Sequence, residues 1–562
     1  MAAVCLTEAT HESKATKKNL FVATLDTQKA FDVVSHPILM SELAQTEIPD
    51  DLWLAVKNLY EGISEKIMWD GSLSRQIAVR QGVGQGRILS PTLYKIYMNG
   101  VLQAMKDPGA GIIIGTDYIG SPTVADDVLL IDQRAEGLQT LLHVSKSESN
   151  RRRYNIHPTK SETASAKGHQ LPMLLGDNVV PHTKSLTHLG VSRNLKSSNA
   201  DVVSSRIATA AKASYALMPS GLHGENGISP HASRRLVLAY ILPRLIYGLE
   251  ALVINKSELG NLDRAYKRLL KSLLALREGT ADEAVYILFG LMPVEAELHT
   301  RMLSLFGSIT RLDEDHPLRR LALRQASFPS GERYGWFNMI FTIARKYMIE
   351  SVIISAILDP WSKVDWKSFI KKSVVTHWVS ILKADAAAKS SLSYMELHDV
   401  NSHSAHHIWP NSGCSSRSRV AASYRAKLLS GSYILQATRA KFNQNNVNPA
   451  CPLCKLAPED LPHFLVRCPS LEPMRSKTLP KIVRLASSLG MSLANDPVTM
   501  CKNLLNCANP DSCCACSGRS KKAKTPAKCK CARLNELINQ LCLTLHNSRT
   551  QILSQTGKNL IH

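Results

Sequence analysis

Val124-Ala125-Asp126-Asp127-Val128-Leu129-Leu130-Ile131 sets two adjacent carboxylates into an apolar run. One hundred positions upstream a second apolar run, Phe21-Val22-Ala23-Thr24-Leu25, ends in a third carboxylate, Asp26. Charge at the end of a buried strand is costly unless it is paired or used. Carboxylates brought together from two strands suit hard divalent cations, which take oxygen ligands. Two such cations about 4 Å apart are a general device for in-line phosphoryl displacement. An Asp-Asp pair by itself is also an ordinary solvated turn, so the residues around the two runs decide.

Four stretches carry the decision. The first is Leu25-Asp26-Thr27-Gln28-Lys29-Ala30-Phe31-Asp32-Val33-Val34-Ser35-His36-Pro37, and the second runs from Gln81-Gly82-Val83-Gly84 through Gln85-Gly86-Arg87-Ile88-Leu89-Ser90-Pro91-Thr92-Leu93-Tyr94. The third is Ala125-Asp126-Asp127 and the fourth Asn155-Ile156-His157-Pro158-Thr159-Lys160-Ser161-Glu162. In order and spacing they resemble the palm motifs of reverse transcriptases, most closely those of non-LTR retrotransposons, over roughly residues 19–165. The resemblance implies a role for each. Asp26 and Asp126 would ligate two Mg²⁺ or Mn²⁺ ions that activate a primer 3′-hydroxyl and hold a triphosphate. Asp127, in a hairpin turn, would add a secondary ligand or charge. Phe31 would be the bulky gate that excludes a ribose 2′-hydroxyl. Gln85 and Gly86 would lie along the incoming nucleotide and template, and Lys160 would protonate or neutralise the leaving pyrophosphate. Two positions depart from the family pattern: Val124 stands where an aromatic residue is common, and Gly84 where an arginine often precedes the Gln-Gly pair. About twenty residues precede the first motif, so the expected palm comes with its fingers mostly missing.

Charge and cysteine usage narrow the partners. The 562 residues include 68 Lys and Arg against 46 Asp and Glu, a net charge of +22. So basic a chain favours a polyanion. The longest apolar stretch, Leu236 to Ile254, is broken by Pro243, Arg244 and Glu250 and is not a membrane-spanning helix. Met1 to Leu20 mixes Glu8, His11 and Glu12 with Lys14, Lys17 and Lys18 and does not read as a secretory signal. Thirteen cysteines without such a signal read as thiols or metal ligands in a reducing compartment. The expected setting is nuclear and cytoplasmic, not secreted.

The pattern predicts an α+β fold with a mainly α-helical region after it and a small cysteine-rich, zinc-binding C-terminus; the resemblance implies that the first part is a right-hand polymerase palm. Residues 36–60 read as a helix pair with Leu52, Val56, Leu59 and Tyr60 on one face. Residues 65–80 read as a hairpin turning at Asp70-Gly71, 91–106 and 134–154 as helices, 111–131 as two strands, and 171–191 as a short β segment. From about 200 to 400 the pattern is helical. Leu262, Tyr266, Leu269, Leu270, Leu273 and Leu274 share one face there, and Arg264, Lys267, Arg268 and Lys271 fall largely on the other. That basic face fits either solvent or a nucleic-acid backbone. Residues 397–418, with His403, His406 and His407, read as a linker. The implied domains are 1–165, palm with partial fingers; 166–400, thumb-like and helical connection; 401–482, linker and zinc segment; and 483–562, basic tail.

Cys451-Pro452-Leu453-Cys454, then His463 and Cys468, make a C-x2-C-x8-H-x4-C pattern suited to tetrahedral, closed zinc ligation. His463 through Pro469 also resembles the zinc-binding segment that follows the polymerase in many non-LTR elements. The last cluster is Cys501, Cys507, Cys513, Cys514, Cys516, Cys529, Cys531 and Cys542. It surrounds a run without acids that carries Arg519, Lys521, Lys522, Lys524, Lys528, Lys530 and Arg533. A second zinc site and a nucleic-acid-binding or nuclear-address tail both fit it.

The resemblance therefore implies an RNA-directed DNA polymerase that uses Mg²⁺ or Mn²⁺ and Zn²⁺, with RNA template, DNA primer and deoxynucleoside triphosphates as partners and no membrane. The competing reading is a catalytically dead, nucleic-acid-binding zinc protein derived from such an element.

Overall fold

The computed structural model describes residues 1–555, apart from 169, 196–197, 225, 399, 401–403, 411–414, 442–445, 494–495 and 508–529. The chain gathers into two compact units. The first comprises Met1–Val203, Gly248–Glu258 and Arg301–Ile370; the second comprises Ser204–Tyr247, Leu259–Thr300 and Lys371–His562.

The first unit is built on a four-stranded antiparallel sheet. Strand Phe21–Leu25 lies inside it, between Glu162–Ser165 and Asp127–Asp132, and Thr123–Val124 forms the far edge. All five residues of Phe21–Leu25 are buried, as are Val128 through Ile131. Burial on alternating and intervening positions alike means that both sheet faces are covered. Phe21, Ala23, Leu25, Val128 and Leu130 pack with Leu93, Tyr94, Tyr97, Met98, Leu138, Leu141 and Leu142 in one core. The last seven come from helices Ser90–Lys106 and Ala135–Arg151. Helix Ala2–Ala15 packs near the Asp127–Asp132 strand and against helix Gly335–Lys346.

Two buried charges hold this unit in ways the local sequence hides. The Arg151-Arg152-Arg153 run has a buried centre: Arg152 pairs with Glu42 at 2.7 Å and Glu148 at 3.3 Å and donates to the Tyr97 carbonyl at 3.0 Å. Tyr97 returns its hydroxyl to the Arg152 carbonyl. Glu8, in the polar-looking N-terminus, is 1 % exposed and accepts from the backbone N–H groups of Trp336 at 2.5 Å and Phe337 at 3.3 Å.

Several expectations change in detail. The 64–78 region forms two nested strand pairs, Ser64–Glu65 with Ile77–Ala78 and Met68–Trp69 with Ser72–Leu73, with positive φ at Asp70 and Gly71. On helix Asp50–Tyr60 only Tyr60 is buried, and Leu52 and Leu59 are exposed. In the second unit, Leu262, Tyr266, Leu270, Leu273 and Leu274 are buried as the stripe predicts. The basic face of the same helix is largely engaged: Lys267 bridges Asp263 and Asp282, Lys271 pairs with Asp282, and Arg268 pairs with Glu278. Within the stretch read as linker, His403 lies outside the described residues, whereas 404–410 is packed. Trp409 Nε1 donates to the Leu288 carbonyl at 2.8 Å, and the rings of His406 and His407 meet at a tilt of 31° with centroids 4.2 Å apart. No described helix is long and apolar enough to cross a membrane.

Glu8 carries a pH signature. Burial drives its carboxyl up from 4.5 to about 8, outweighing the two N–H donors that favour the charged form. Its stabilising effect is complete below about 4.5 and is lost as pH rises towards about 8. The urea midpoint of the protein should fall over that range. Glu8→Gln, which keeps an oxygen acceptor and cannot ionise, should flatten the fall; an unchanged slope in the variant contradicts the assignment.

Candidate active site and metal centre

The sheet register brings the aspartates together. Leu25 stands opposite Val128, so Asp26 leaves its strand beside Asp127. Val124 pairs with Asp127 across a two-residue turn, Ala125-Asp126. Asp126 therefore occupies the turn, and Asp127, expected in it, opens the strand. Ala125 takes φ 54°, a left-handed conformation that costs a non-glycine residue about 1–2 kcal/mol. All three aspartates are exposed at this end of the sheet. The Asp127 carboxyl is pushed above its ordinary range by burial first, then by the negative charges of Asp126 and Asp26. Mutual repulsion of this kind is what a bound cation relieves.

The fourth motif clasps the first. Asp26 donates its N–H to Ser161 Oγ at 3.2 Å and accepts from the His157 N–H at 2.8 Å, while Gln28 N–H donates to the Asn155 carbonyl at 2.9 Å. Lys160 sits exposed on this clasp. Ser161, to which the sequence assigned no role, is the side chain that fixes the Asp26 backbone.

The second motif lies along the first. Gly82 and Val83 donate to the Val34 and Phe31 carbonyls at 2.8 Å each, and His36 Nε2 meets the Gly82 carbonyl at 2.8 Å. Gly82 has φ +95°, and a Cβ there would stand 3.0 Å from the Asp32 carbonyl oxygen, so glycine is required twice over. Phe31 is half-buried and stacks on Tyr94, with centroids 5.0 Å apart and planes 15° apart. Burial raises the Tyr94 phenol pKa, and the charges of Tyr154 and Asp126 raise it further. Asp126, Tyr94 and Phe31 thus share one neighbourhood. Gln85 and Gly86 are exposed on the loop that enters helix Ser90–Lys106, where Ser90 Oγ donates to the Gly84 carbonyl at 2.6 Å.

A second centre lies in the other unit. The ligand atoms of Cys451, Cys454, His463 and Cys468 all fall within 4.8 Å of one another. Cys451 and Cys468 sulfurs are 3.9 Å apart, and Cys454 Sγ is 3.3 Å from His463 Nε2. A tetrahedron with Zn–S of about 2.3 Å and Zn–N of about 2.0 Å has edges of about 3.5–3.8 Å, so the donor set fits zinc. Lys455 at φ 60° turns the chain back after Cys454, and His463 opens a π-helical turn, His463–Arg467. This loop is bolted to helix Lys530–Gln555. Arg549 grips Glu459 with two bonds of 2.7 and 2.8 Å, both partners buried, and His546 Nδ1 lies 2.9 Å from the hydroxyl of Tyr433, which stacks on Phe464. Arg475 donates to the carbonyls of Leu465 and Cys468.

Among the described residues this is the one cluster of three or more such donors that gathers this tightly; the three aspartates are looser. Cys501, Cys507, Cys531 and Cys542 are buried and form no such cluster. Cys513, Cys514, Cys516 and Cys529, with Arg519, Lys521, Lys522, Lys524 and Lys528, lie outside the described residues.

Comparison with known proteins identifies the domain that this chain carries. Residues 2–192 match the family described as reverse transcriptase (RNA-dependent DNA polymerase). The retrovirus-related Pol polyprotein from the type-1 retrotransposable element R2 of Popillia japonica is 27% identical over 285 residues, which cover 48% of this chain and 38% of that protein. That of Nasonia vitripennis is 29% identical over 27% of this chain and 15% of its own length. The RNA-directed DNA polymerase from the mobile element jockey of Drosophila melanogaster is 25% identical over 42% of this chain and 26% of its own length. The match spans less than half of each of these relatives. The chain carries a reverse transcriptase domain and is a relative of the non-LTR retrotransposon polymerases.

Proposed function

We propose that this chain is the polymerase part of a non-LTR retrotransposon and copies RNA into DNA. The observation that carries the reading is the meeting of Asp26, at the end of a buried strand, with Asp126 in the turn and Asp127 at the strand start of the neighbouring hairpin. Asp26 and Asp126 hold Mg²⁺ or Mn²⁺, and Asp127 adds negative charge beside them. When bound there, such ions would lower the pKa of a primer 3′-hydroxyl and neutralise the triphosphate. Every other role belongs to the chain. Phe31, backed by Tyr94, forms the floor under the incoming sugar and excludes a 2′-hydroxyl. Gln85 and the glycine at 86 border the nucleotide and template. Lys160, on the loop that clasps Asp26, meets the departing pyrophosphate. We also propose that 1–165 act as palm with partial fingers, 166–400 as thumb and connection, 401–482 as linker and zinc segment, and 483–562 as a basic tail. Cys451, Cys454, His463 and Cys468 bind one structural zinc, which leaves no open position for catalysis.

Primer extension on an RNA template should require Mg²⁺ or Mn²⁺. Asp126→Asn should lower it by about three orders of magnitude, roughly 4 kcal/mol of transition-state stabilisation. Activity that persists without divalent metal refutes the mechanism. Nucleic-acid binding without any extension favours the catalytically dead binding protein. Phe31→Ala should raise ribonucleotide incorporation relative to deoxynucleotide; an unchanged ratio removes the gate from Phe31. Cys454→Ser leaves zinc three-coordinate. It should lower the zinc content of the full chain and raise hydrogen exchange in 530–555, because that helix is held through Glu459 and Phe464. Full zinc content in the variant ends the ligand assignment.

A further inference from the structure

Of the fifteen tyrosines in the chain, three stand exposed among the described residues: Tyr215 at 66 %, Tyr240 at 37 % and Tyr247 at 45 %. All three fall within 204–247, a continuous segment of the second unit. The same segment carries Arg206, Lys212, Arg234, Arg235 and Arg244 against a single acid, Glu225, which lies outside the described residues. Exposed rings are ordinary when scattered; gathered in one basic segment they need a reason.

The rings are paired with guanidinium groups. Arg244 Cζ lies 3.5 Å from the Tyr240 ring centroid, and Arg244 also donates to the Tyr240 carbonyl at 2.8 Å. Arg206 Cζ lies 5.4 Å from the Tyr247 ring centroid. Tyr240 sits in a π-helical turn, Val237–Ile241, an irregularity that is frequent at functional sites. Helix Leu242–Ile246 follows directly, and Tyr247 caps it in extended geometry. The two tyrosines thus flank the short helix that carries Arg244.

We infer that this tyrosine–arginine surface is a binding site for single-stranded nucleic acid, which it takes by stacking unpaired bases on Tyr240, Tyr247 and their guanidinium partners. A guanidinium plane stacks on a ring and on a base alike. Its charge also attracts the phosphates on either side of the stacked base. Bases within a duplex are stacked on one another and cannot reach the rings, so the site selects single strands. It stands independently of the polymerase proposal, because it is read by binding and not by synthesis.

The test is a titration of the full chain with a fluorescent oligouridylate of about 15 nucleotides, within the usual span of such sites. An abasic phosphodiester strand of equal length serves as the charge control. Tyr240→Ala with Tyr247→Ala should weaken oligouridylate binding about tenfold or more and leave the abasic strand unaffected. Tyr240→Phe with Tyr247→Phe should restore it. Arg206→Gln with Arg244→Gln should weaken both ligands and reduce the salt dependence. If the alanine pair unfolds the protein, the leucine pair, which keeps bulk and lacks the ring, carries the same test. Equal affinity for both strands, undiminished oligouridylate binding in the ring-deleted pair, or polyglutamate competing as well as the oligonucleotide would each overturn the inference, the last in favour of an acidic protein partner.

Discussion

The antiparallel pairing of Phe21–Leu25 with Asp127–Asp132 is the constraint on which the first unit depends. Five consecutive residue pairs, from Phe21 with Asp132 to Leu25 with Val128, fix where both strands end. A slip of one residue would turn every side chain to the opposite face. It would carry Ala23 and Leu130 out of their shared core and separate Asp26 from the hairpin turn. Both sheet faces are covered, so such a slip would strand apolar side chains on the wrong side of each. The register that buries the core is the register that presents the carboxylates.

Within each unit, order is maintained by buried polar groups with distant partners. Arg152 ties the helix Ala135–Arg151 to Glu42 and to the Tyr97 backbone. In the second unit Arg425 is fully buried and pairs with no carboxylate among the described residues. It donates instead to the carbonyls of Leu505 and Cys507 and to the side chains of Asn535 and Asn539. The Glu459–Arg549 pair holds the loop that carries the Cys/His cluster to the last helix in the same manner. Each charge is tolerated because polar partners meet it in place, and removing one partner of a buried ion pair such as Glu459–Arg549 typically costs about 3–5 kcal/mol.

These contrasts explain what was legible from the sequence. The convergence of Asp26 with Asp126 could be read because strand periodicity and a terminal carboxylate are both local patterns. The gathering of Cys451, Cys454, His463 and Cys468 could be read because their spacing is a short-range regularity. Glu8 could not be read, since its environment is made by Trp336 and Phe337, more than three hundred residues away. Lys267 and Lys271 looked like a free basic face because their partner, Asp282, lies beyond the helix that displays them. Leu52 and Leu59 satisfy helical spacing and are nevertheless exposed: periodicity states which residues share a face, not whether anything covers it. Ser161 was visible within a motif, but its bond to Asp26 exists only once the two strands are side by side.

The central claim is that Asp26, Asp126 and Asp127 form one divalent-cation site. Electron paramagnetic resonance of manganese titrated into the zinc-loaded full chain tests it most directly. The account predicts bound manganese whose signal is lost both in Asp26→Asn and in Asp126→Asn, because each carboxylate serves the same ions. Manganese binding that survives both substitutions would contradict it.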